Sequence, residues 1–352
     1  MSLKVGSVLS GIKWRYRLID RLGDHTVFSS VFKAEILPGS QSKVPTKFAV
    51  IKTTDPQVCS KKNSLFREYK YHKASSINAC PSIRKMYDTI NDPNDWTAEK
   101  PFCLALEWMD TTLEDVPAVI PLRSTALAKA VVEASLHAFV AADQEGLVYT
   151  DLKPSNVLLS GVDGPCPQAK IGDLGVMGPE GLNESWLQPE AFRAPEVWVS
   201  VSCYHKSDVW SLAALMLNWI DNGIVGNHDN NGSFPPMIWC LAKLMRLFAT
   251  ENNPIVPPSS TASKDLQLSF EYAKKLVSAA RPDNPKQYIL DTPGFDEWAA
   301  AAEAADLIPK VVLDMIRFLA ILDPANRPTA AQALVSNEFK ALEAAAALES
   351  KG

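Results

Sequence analysis

The chain changes pattern near residue 110, and that change limits what it can fold into. Before it, YRLIDRL, FSSVFKAEI and KFAVIKTT are short runs rich in β-branched and aromatic residues, with turn-forming residues between them. Such runs read as strands, and LPGSQSKVPT between the last two reads as a loop. SLFREYKYHKASS then reads as one helix, and PFCLALEWMD as a buried strand entering a linker. After residue 120 helical patterns take over. TALAKAVVEASLHAFVAADQEG is a long helix stopped at Gly146. DVWSLAALMLNWI is apolar nearly all round, as suits a helix buried on every side. MIWCLAKLMRLFA, EYAKKLVSAA, EWAAAAEAADL, VVLDMIRFLAIL and TAAQALVSNEFKALEAAAAL follow, with polar loops at NGIVGNHDNNGSFPP and ENNPIVPPSSTASKD. The expectation is a small strand-rich part ahead of a larger helical part, joined near Glu107 to Leu113.

A length of 352 residues leaves room for both. The 35 basic and 40 acidic residues give a net charge of −5, which offers no positive footprint for direct nucleic-acid binding. No uninterrupted apolar run reaches the ~18 residues of a spanning helix, and MSLKVGSVLSGIKW lacks a signal-peptide core. Neither a nucleic acid nor a membrane is therefore expected as a partner, and the oligomeric state is left open. Cys59, Cys80, Cys103, Cys166, Cys203 and Cys240 stand singly, without a C-x-x-C pair. They read as buried reduced thiols of a cytoplasmic or nuclear protein.

Chemistry concentrates in YTDLKPSNVLL, Tyr149 to Leu159. Asp151, Lys153 and Asn156 share one short loop there. An aspartate can take the proton of an attacking hydroxyl, a lysine two residues on can offset charge on a moving phosphoryl group, and the asparagine can ligate a divalent ion. Asp173, in IGDLG, adds a second hard-oxygen ligand of the kind Mg²⁺ prefers. Each piece alone is weak, since a lone D-L-G is usually a turn.

Order and spacing add what the pieces lack. FAVIK supplies Lys52 on a strand, FREYKYH supplies Glu68 on a helix, and FRAPE, DVWS and LDPANRPTAAQAL follow in turn. With the Asp151 loop and Asp173, this series resembles the eukaryotic protein kinases over residues 15–340. The resemblance implies an α+β, bilobal protein-kinase-like fold: a small antiparallel-sheet N-lobe with one helix and a larger helical C-lobe. It divides the chain into an extension (1–14), an N-lobe (15–109), a C-lobe (110–345) and a tail (346–352). It also implies ATP, with Mg²⁺ or Mn²⁺, as cofactors. Lys52, held by Glu68, would contact the α- and β-phosphates. Asp151 would be the catalytic base and Lys153 the charge neutraliser, with Asn156 and Asp173 as metal ligands. Glu107 to Met109 would be the hinge that reads adenine, with Leu106 behind the ring and Val31, Val50 and Leu158 around it. Buried strand residues pack in this way with or without a nucleotide. Glu196, Arg327 and Asp208 read as structural.

The sequence departs from the family in four places. LGDHTVFSSVFKA keeps only Gly23 of the expected G-x-G-x-x-G-x-V and has one residue too many before Val31, with Ser29 at the third glycine position. Thr150 replaces the arginine of His-Arg-Asp, which in many kinases binds a phosphate on the activation loop. The following GVMGPEGLNESWLQPEAFR has one hydroxyl residue, Ser185, so control by activation-loop phosphorylation is not expected. Pro189 replaces a threonine that bridges the catalytic Asp and Lys. His72 stands where a leucine is usual, and reads as a helix histidine half in the core. T-D-L-K-P, F-S-S-V-F and F-R-A-P-E resemble the SR-protein kinases within the group that also holds cyclin-dependent and MAP kinases.

Three functions fit this pattern. The first is a Ser/Thr protein kinase acting on a protein substrate, with a basic or Arg/Ser-rich one suiting an acidic chain. The second is a pseudokinase, a binding or scaffold module with weak or no catalysis. The third, a small-molecule kinase, is opposed by Lys153, the APE-like element and Arg327. Glu180, Glu184 and Glu190 read as solvated loop charges.

Overall fold

A computed structural model of the protein describes residues 3–26, 29–38, 46–54, 64–92, 100–118, 120, 122, 124–182, 187–200, 202–260 and 262–349. The chain forms two compact units. One comprises Met1–Asp110 and Lys170–Met177, the other Thr111–Ala169 and Gly178–Gly352.

The N-terminal unit is built on β1 (Val8–Ser10), β2 (Arg15–Thr26), β3 (Ser29–Leu37), β4 (Phe48–Thr54), β5 (Met86–Ile90) and β6 (Cys103–Glu107), with α1 (Ser64–His72) and α2 (Ser75–Ala79). The strands form one antiparallel sheet in the order β1-β2-β3-β4-β6-β5. Alternation along β4 sends side chains to opposite faces. Ala49 and Ile51 join a core with Tyr16, Leu18, Phe32 and Tyr87. Val50 joins the other core with Leu65, Phe102, Leu104 and Leu106. Period two therefore puts Lys52 on the face of Val50, where Leu65 of α1 packs. The buried residues of α1 are Leu65, Glu68 and His72, spaced to share one side of the helix.

Three features of this unit went unread in the sequence. The extension carries β1, and the loop after it wraps a buried carboxylate: the backbone N–H groups of Ile12, Lys13 and Trp14 donate to Asp88 at 3.1, 2.8 and 3.2 Å. The Tyr16 hydroxyl donates to the same carboxylate at 3.2 Å. A Cβ at Gly11 would meet Asp88 Oδ2 at 2.3 Å, so only glycine fits that approach. β5 was also missed, because buried Asp88 interrupts its apolar pattern. SLFREYKYHKASS makes two helices rather than one, breaking after His72; the second is a five-residue turn of helix. His72 is fully buried rather than half in the core.

The second unit is mostly helical. β7 (Thr111–Thr112) pairs with β9 (Val157–Ser160), and β8 (Leu147–Val148) with β11 (Gly178–Pro179). β10 (Gln168–Ile171) carries the chain across the unit boundary at Lys170. The helices are α3 (Thr125–Gln144), α4 (Pro195–Ser200), α5 (His205–Ile220), α6 (Pro236–Phe248), α7 (Lys264–Val277), α8 (Phe295–Ala304), α9 (Lys310–Leu319), α10 (Ala330–Leu334) and α11 (Asn337–Glu349). Every residue of α5 from Ser207 to Ile220 is buried, as its uniform apolarity requires.

α3 corrects the expectation drawn from uninterrupted apolar runs. By length and mean hydropathy (1.3) it is long and apolar enough to cross a membrane. However, 72% of that stretch is buried inside the protein, against α5, α10 and α11, which is how a core helix behaves. α7 begins at Lys264, inside the stretch read as a loop, because Ser263 caps it by accepting from the Leu266 N–H at 3.2 Å. The last helical run splits into α10 and α11, the latter started by Ser336, whose hydroxyl accepts from the Phe339 N–H. α11 runs to Glu349, through most of the expected tail, and Ala346 on it is buried. Cys103, Cys203 and Cys240 are buried free thiols as expected, but Cys80 is half-buried and Cys166 exposed. Cys59, Glu184 and Ser185 lie outside the described residues.

Candidate active site

Two clusters of polar residues form, one in each unit. In the N-terminal unit Lys52 Nζ lies 2.8 Å from Glu68 Oε2 and 2.9 Å from Asp173 Oδ1. Burial alone would lower the Lys52 pKa, but the Glu68 and Asp173 carboxylates override it and hold the ammonium charged above its usual range. Asp173 sits at φ +50°, a left-handed conformation uncommon outside glycine. Its Oδ1 also accepts from the Gly175 N–H at 3.3 Å. A Cβ at Gly175 would come within 3.0 Å of the Ser64 backbone oxygen, so the glycine lets this turn lie against the start of α1. The Tyr71 hydroxyl adds a second tie from α1, donating to the Met177 carbonyl at 2.9 Å.

The residues expected around adenine are also in this unit, apart from Leu158. Val31, Val50 and Leu106 belong to one apolar cluster, and Met109 is buried. Glu107 ends β6 and is heavily used. Its carboxylate takes both Lys170 Nζ contacts, at 2.7 and 2.9 Å, and the Lys85 N–H at 3.2 Å. Its carbonyl accepts from Arg84 Nε at 2.8 Å. The side chain of Ser29 and residues 27–28 lie outside the described residues. The extra residue before Val31 is taken up in β2, which shifts register against β3 at Leu18/Asp20, Arg21/Gly23 and Gly23/Thr26.

In the C-terminal unit the loop after β8 is pinned from below. Asp208 of α5 accepts the backbone N–H groups of Tyr149 at 2.7 Å and Thr150 at 3.0 Å. These bonds hold Thr150 at φ +66°, a costly conformation for a β-branched residue. Burial pushes the Asp208 carboxyl up to about 6, against the downward pull of those two N–H groups. Tyr149 is buried and packs near Phe139. Asp151 Oδ2 then accepts from Lys153 Nζ at 2.8 Å and from Asn156 Nδ2 at 2.9 Å. Asn156 Nδ2 also donates to the Asp151 carbonyl at 2.8 Å. With the amide nitrogen committed to Asp151, Asn156 keeps its Oδ1 for another partner. Leu158 is buried on β9 opposite Thr112. Glu180 is not merely solvated; it lies 3.3 Å from His205 Nε2.

Asn156 Oδ1 and the Asp173 carboxylate are hard oxygen donors. Among the described residues no group of three or more His, Cys, Asp or Glu could hold a metal ion by itself. Oxygens of this kind, taken one by one in their own units, suit Mg²⁺.

A family model for the protein kinase domain matches residues 27–339. The chain belongs to this family. Among relatives of the kinase domain, serine/threonine-protein kinase D2 of Homo sapiens is 32% identical over 90 residues, covering 25% of this chain and 10% of that protein. Probable cyclin-dependent kinase 8 of Dictyostelium discoideum is 25% identical over 206 residues, 56% of this chain and 48% of that protein. Homeodomain-interacting protein kinase 1 of Caenorhabditis elegans is 23% identical over 260 residues, 66% and 31% respectively. The chain thus spans from about a tenth to about half of the length of these relatives.

The kinase domain contains a further lock, in which Gln188 is announced by no sequence pattern and the Arg327–Glu196 pair is the structural one that the motifs imply. Gln188, buried at φ +62°, donates to the Ser207 carbonyl at 3.0 Å and accepts from the Ala194 N–H at 2.9 Å. Arg193 donates to the carbonyls of Leu187 and Gln188, both at 2.9 Å, and lies over the Trp198 ring. Arg327 reaches Glu196 with two parallel bonds of 2.8 and 3.0 Å, the strong fork geometry of guanidinium and carboxylate. Gln188, Arg84 and Lys170 are single polar residues without a motif, and only the fold gives them partners.

Proposed function

We propose that this protein kinase domain is a serine/threonine kinase that transfers the γ-phosphoryl group of ATP to a hydroxyl of a protein substrate. The observation that carries the reading is the Lys52–Glu68–Asp173 cluster, in which Lys52 and Glu68 are buried and Asp173 is partly exposed. Burying the Lys52–Glu68 pair costs desolvation that apolar residues of equal volume would avoid, and phosphoryl transfer has a use for it. Lys52, steadied by Glu68, holds α- and β-phosphate oxygens. Asp151, oriented by Lys153 and Asn156, accepts the substrate hydroxyl proton as its oxygen attacks the γ-phosphorus. The bond from that phosphorus to the β–γ bridging oxygen breaks, and ADP leaves with the electron pair. Lys153 offsets charge on the group in transit. Mg²⁺ or Mn²⁺ would be held by Asn156 and Asp173 and would supply charge neutralisation to the phosphates.

Control by activation-loop phosphorylation is absent from this reading. Thr150 offers no cation to a phosphate, and Gln188 and Arg193 already order the 187–196 stretch from within. The substrate is a basic or Arg/Ser-rich protein, which suits a net charge of −5. The kinship proposed is with the SR-protein, cyclin-dependent and MAP kinase group, supported by F-R-A-P-E and by the cyclin-dependent and homeodomain-interacting kinases among its relatives.

One observation favours a second reading, a binding module with weak or no catalysis: Gly23 is the single glycine of the phosphate loop, and Pro189 replaces the bridging threonine. Thermal unfolding with millimolar ATP, with and without Mg²⁺, tests nucleotide binding, since a ligand of the native state raises the melting temperature by mass action. Labelled-ATP transfer to a basic protein, with Asp151→Asn as control, then separates the two readings. A shift with transfer supports the kinase, and a shift without transfer, or no shift at all, supports the module.

A further inference from the structure

The N-terminal unit contains a cavity of about 270 Å³ that the proposed reaction does not use. Its lining includes His72, Asn78, Arg84, Lys85 and Lys170, which is three cations and no carboxylate. Two acids stand behind this wall: Glu68, 4.0 Å from His72 and the carboxylate that acts most on Arg84, is paired with Lys52, and Glu107 is already committed. Both its oxygens face Lys170, and one also accepts the Lys85 N–H. Arg84 spends only Nε, on the Glu107 carbonyl; among the described residues its two terminal nitrogens make no hydrogen bond. Desolvation pushes the Arg84 pKa down, with Glu68, Glu107 and Asp173 opposing that. His72 adds no charge, because burial above all, then Arg84, holds its pKa down to about 3. A guanidinium with a free fork, in a wall that also includes Lys85 and the Glu107-paired Lys170, is a site for a tetrahedral oxyanion. The volume equals roughly nine waters, more than a lone phosphate fills.

We propose that this cavity binds a small phosphate-bearing molecule, with Arg84 holding the phosphoryl oxygens through its terminal nitrogens and Lys85 and Lys170 closing the charge. The site stands on side chains of one unit and does not depend on the kinase reading. It adjoins that machinery at two points. His72 sits one turn of α1 beyond Glu68, with Nε2 4.0 Å from Glu68 Oε1, and Arg84 is bonded to the Glu107 carbonyl. A ligand drawing on Arg84 therefore pulls on the end of β6.

Calorimetric titration of the whole protein with inorganic pyrophosphate, in the absence of divalent ions, tests the site. The expected result is saturable one-to-one binding that Lys52→Met retains. Lys85→Glu, at an exposed position, weakens it by at least about tenfold, or about 1.4 kcal/mol. Arg84→Met removes it; should that variant not fold, Lys85→Glu decides alone. Absence of saturable binding to the parent overturns the proposal. So does binding lost with Lys52→Met but unchanged by Lys85→Glu, which would put the anion at the nucleotide cluster. A protein that ignores MgATP yet binds pyrophosphate in this pattern loses the kinase reading and keeps this one.

Discussion

The two polar clusters are held by opposite means. Lys52, Glu68 and Asp173 come from a strand, a helix and a turn far apart in the chain, and meet only because the N-terminal sheet and α1 are packed. Lys52 and Glu68 are nearly sealed from solvent, with side chains 11% and 1% exposed. Asp151, Lys153 and Asn156 come from one short loop and face solvent more, with the Lys153 side chain 36% exposed. Their geometry is set by Asp208 gripping the backbone just upstream. The first cluster is part of its unit's core, whereas the second is mounted on a core already formed. Stability and chemistry should therefore be coupled at the first and separable at the second.

Asp151→Asn is the sharpest break between them. Removing the proposed proton acceptor should lower phosphoryl transfer by at least ~10²–10⁴-fold, while urea unfolding changes by no more than about 1 kcal/mol. Loss of the fold here would mean that the loop is structural. Lys52→Met should abolish transfer and also cost ~3–5 kcal/mol of stability, because two carboxylates lose their counter-charge. If its unfolding curve overlays that of the parent, the coupling is wrong. Asp88→Ala, remote from both clusters, should cost about 1–3 kcal/mol by leaving the N–H groups of Ile12, Lys13 and Trp14 without their acceptor. Its signature is unfolding of the N-terminal unit ahead of the other in calorimetry.

The smallest effect is in acid, where the units should respond with opposite sign. His72 has a pKa held down to about 3, so its contribution is present above the unfolded value near 6.5 and is lost as pH falls. Asp208 has a carboxyl raised from 3.8 to about 6, so its contribution is present below the unfolded value and is lost as pH rises through 6. Between about pH 6.5 and about pH 4, His72→Leu should gain melting temperature relative to the parent and Asp208→Asn should lose it. Parallel pH curves for parent and variants would show that neither group titrates as its surroundings require.

The same contrast explains what the sequence disclosed. The Asp151 loop was legible because its residues are neighbours in the chain, and the pairing of Lys52 with Glu68 was legible through the resemblance to the protein kinases. Helix boundaries at Ser263 and Ser336 were not, since the first cap lies in a polar stretch that looks like loop and the second inside a run that looks like one helix. β5 was hidden by Asp88, whose burial makes sense only when the backbone of residues 12–14 is folded over it. Gln188, Arg84 and Lys170 were invisible for the reason Asp88 was. A polar residue with distant partners leaves no period and no motif.

The bulged pairing of β2 with β3 also bears on how this chain keeps to itself. β1 is three residues long and covers only the base of β2, at Arg15 to Arg17. Beyond that, the outer border of the twelve-residue β2 has no strand beside it among the described residues. Such a border invites another molecule's strand and, from there, aggregation. Here the register shifts at Leu18/Asp20 and Arg21/Gly23 bend it out of line, and exposed Asp20 and Arg21 set charge along it. Irregularity and charge, not cover, discourage that border from templating a fibril.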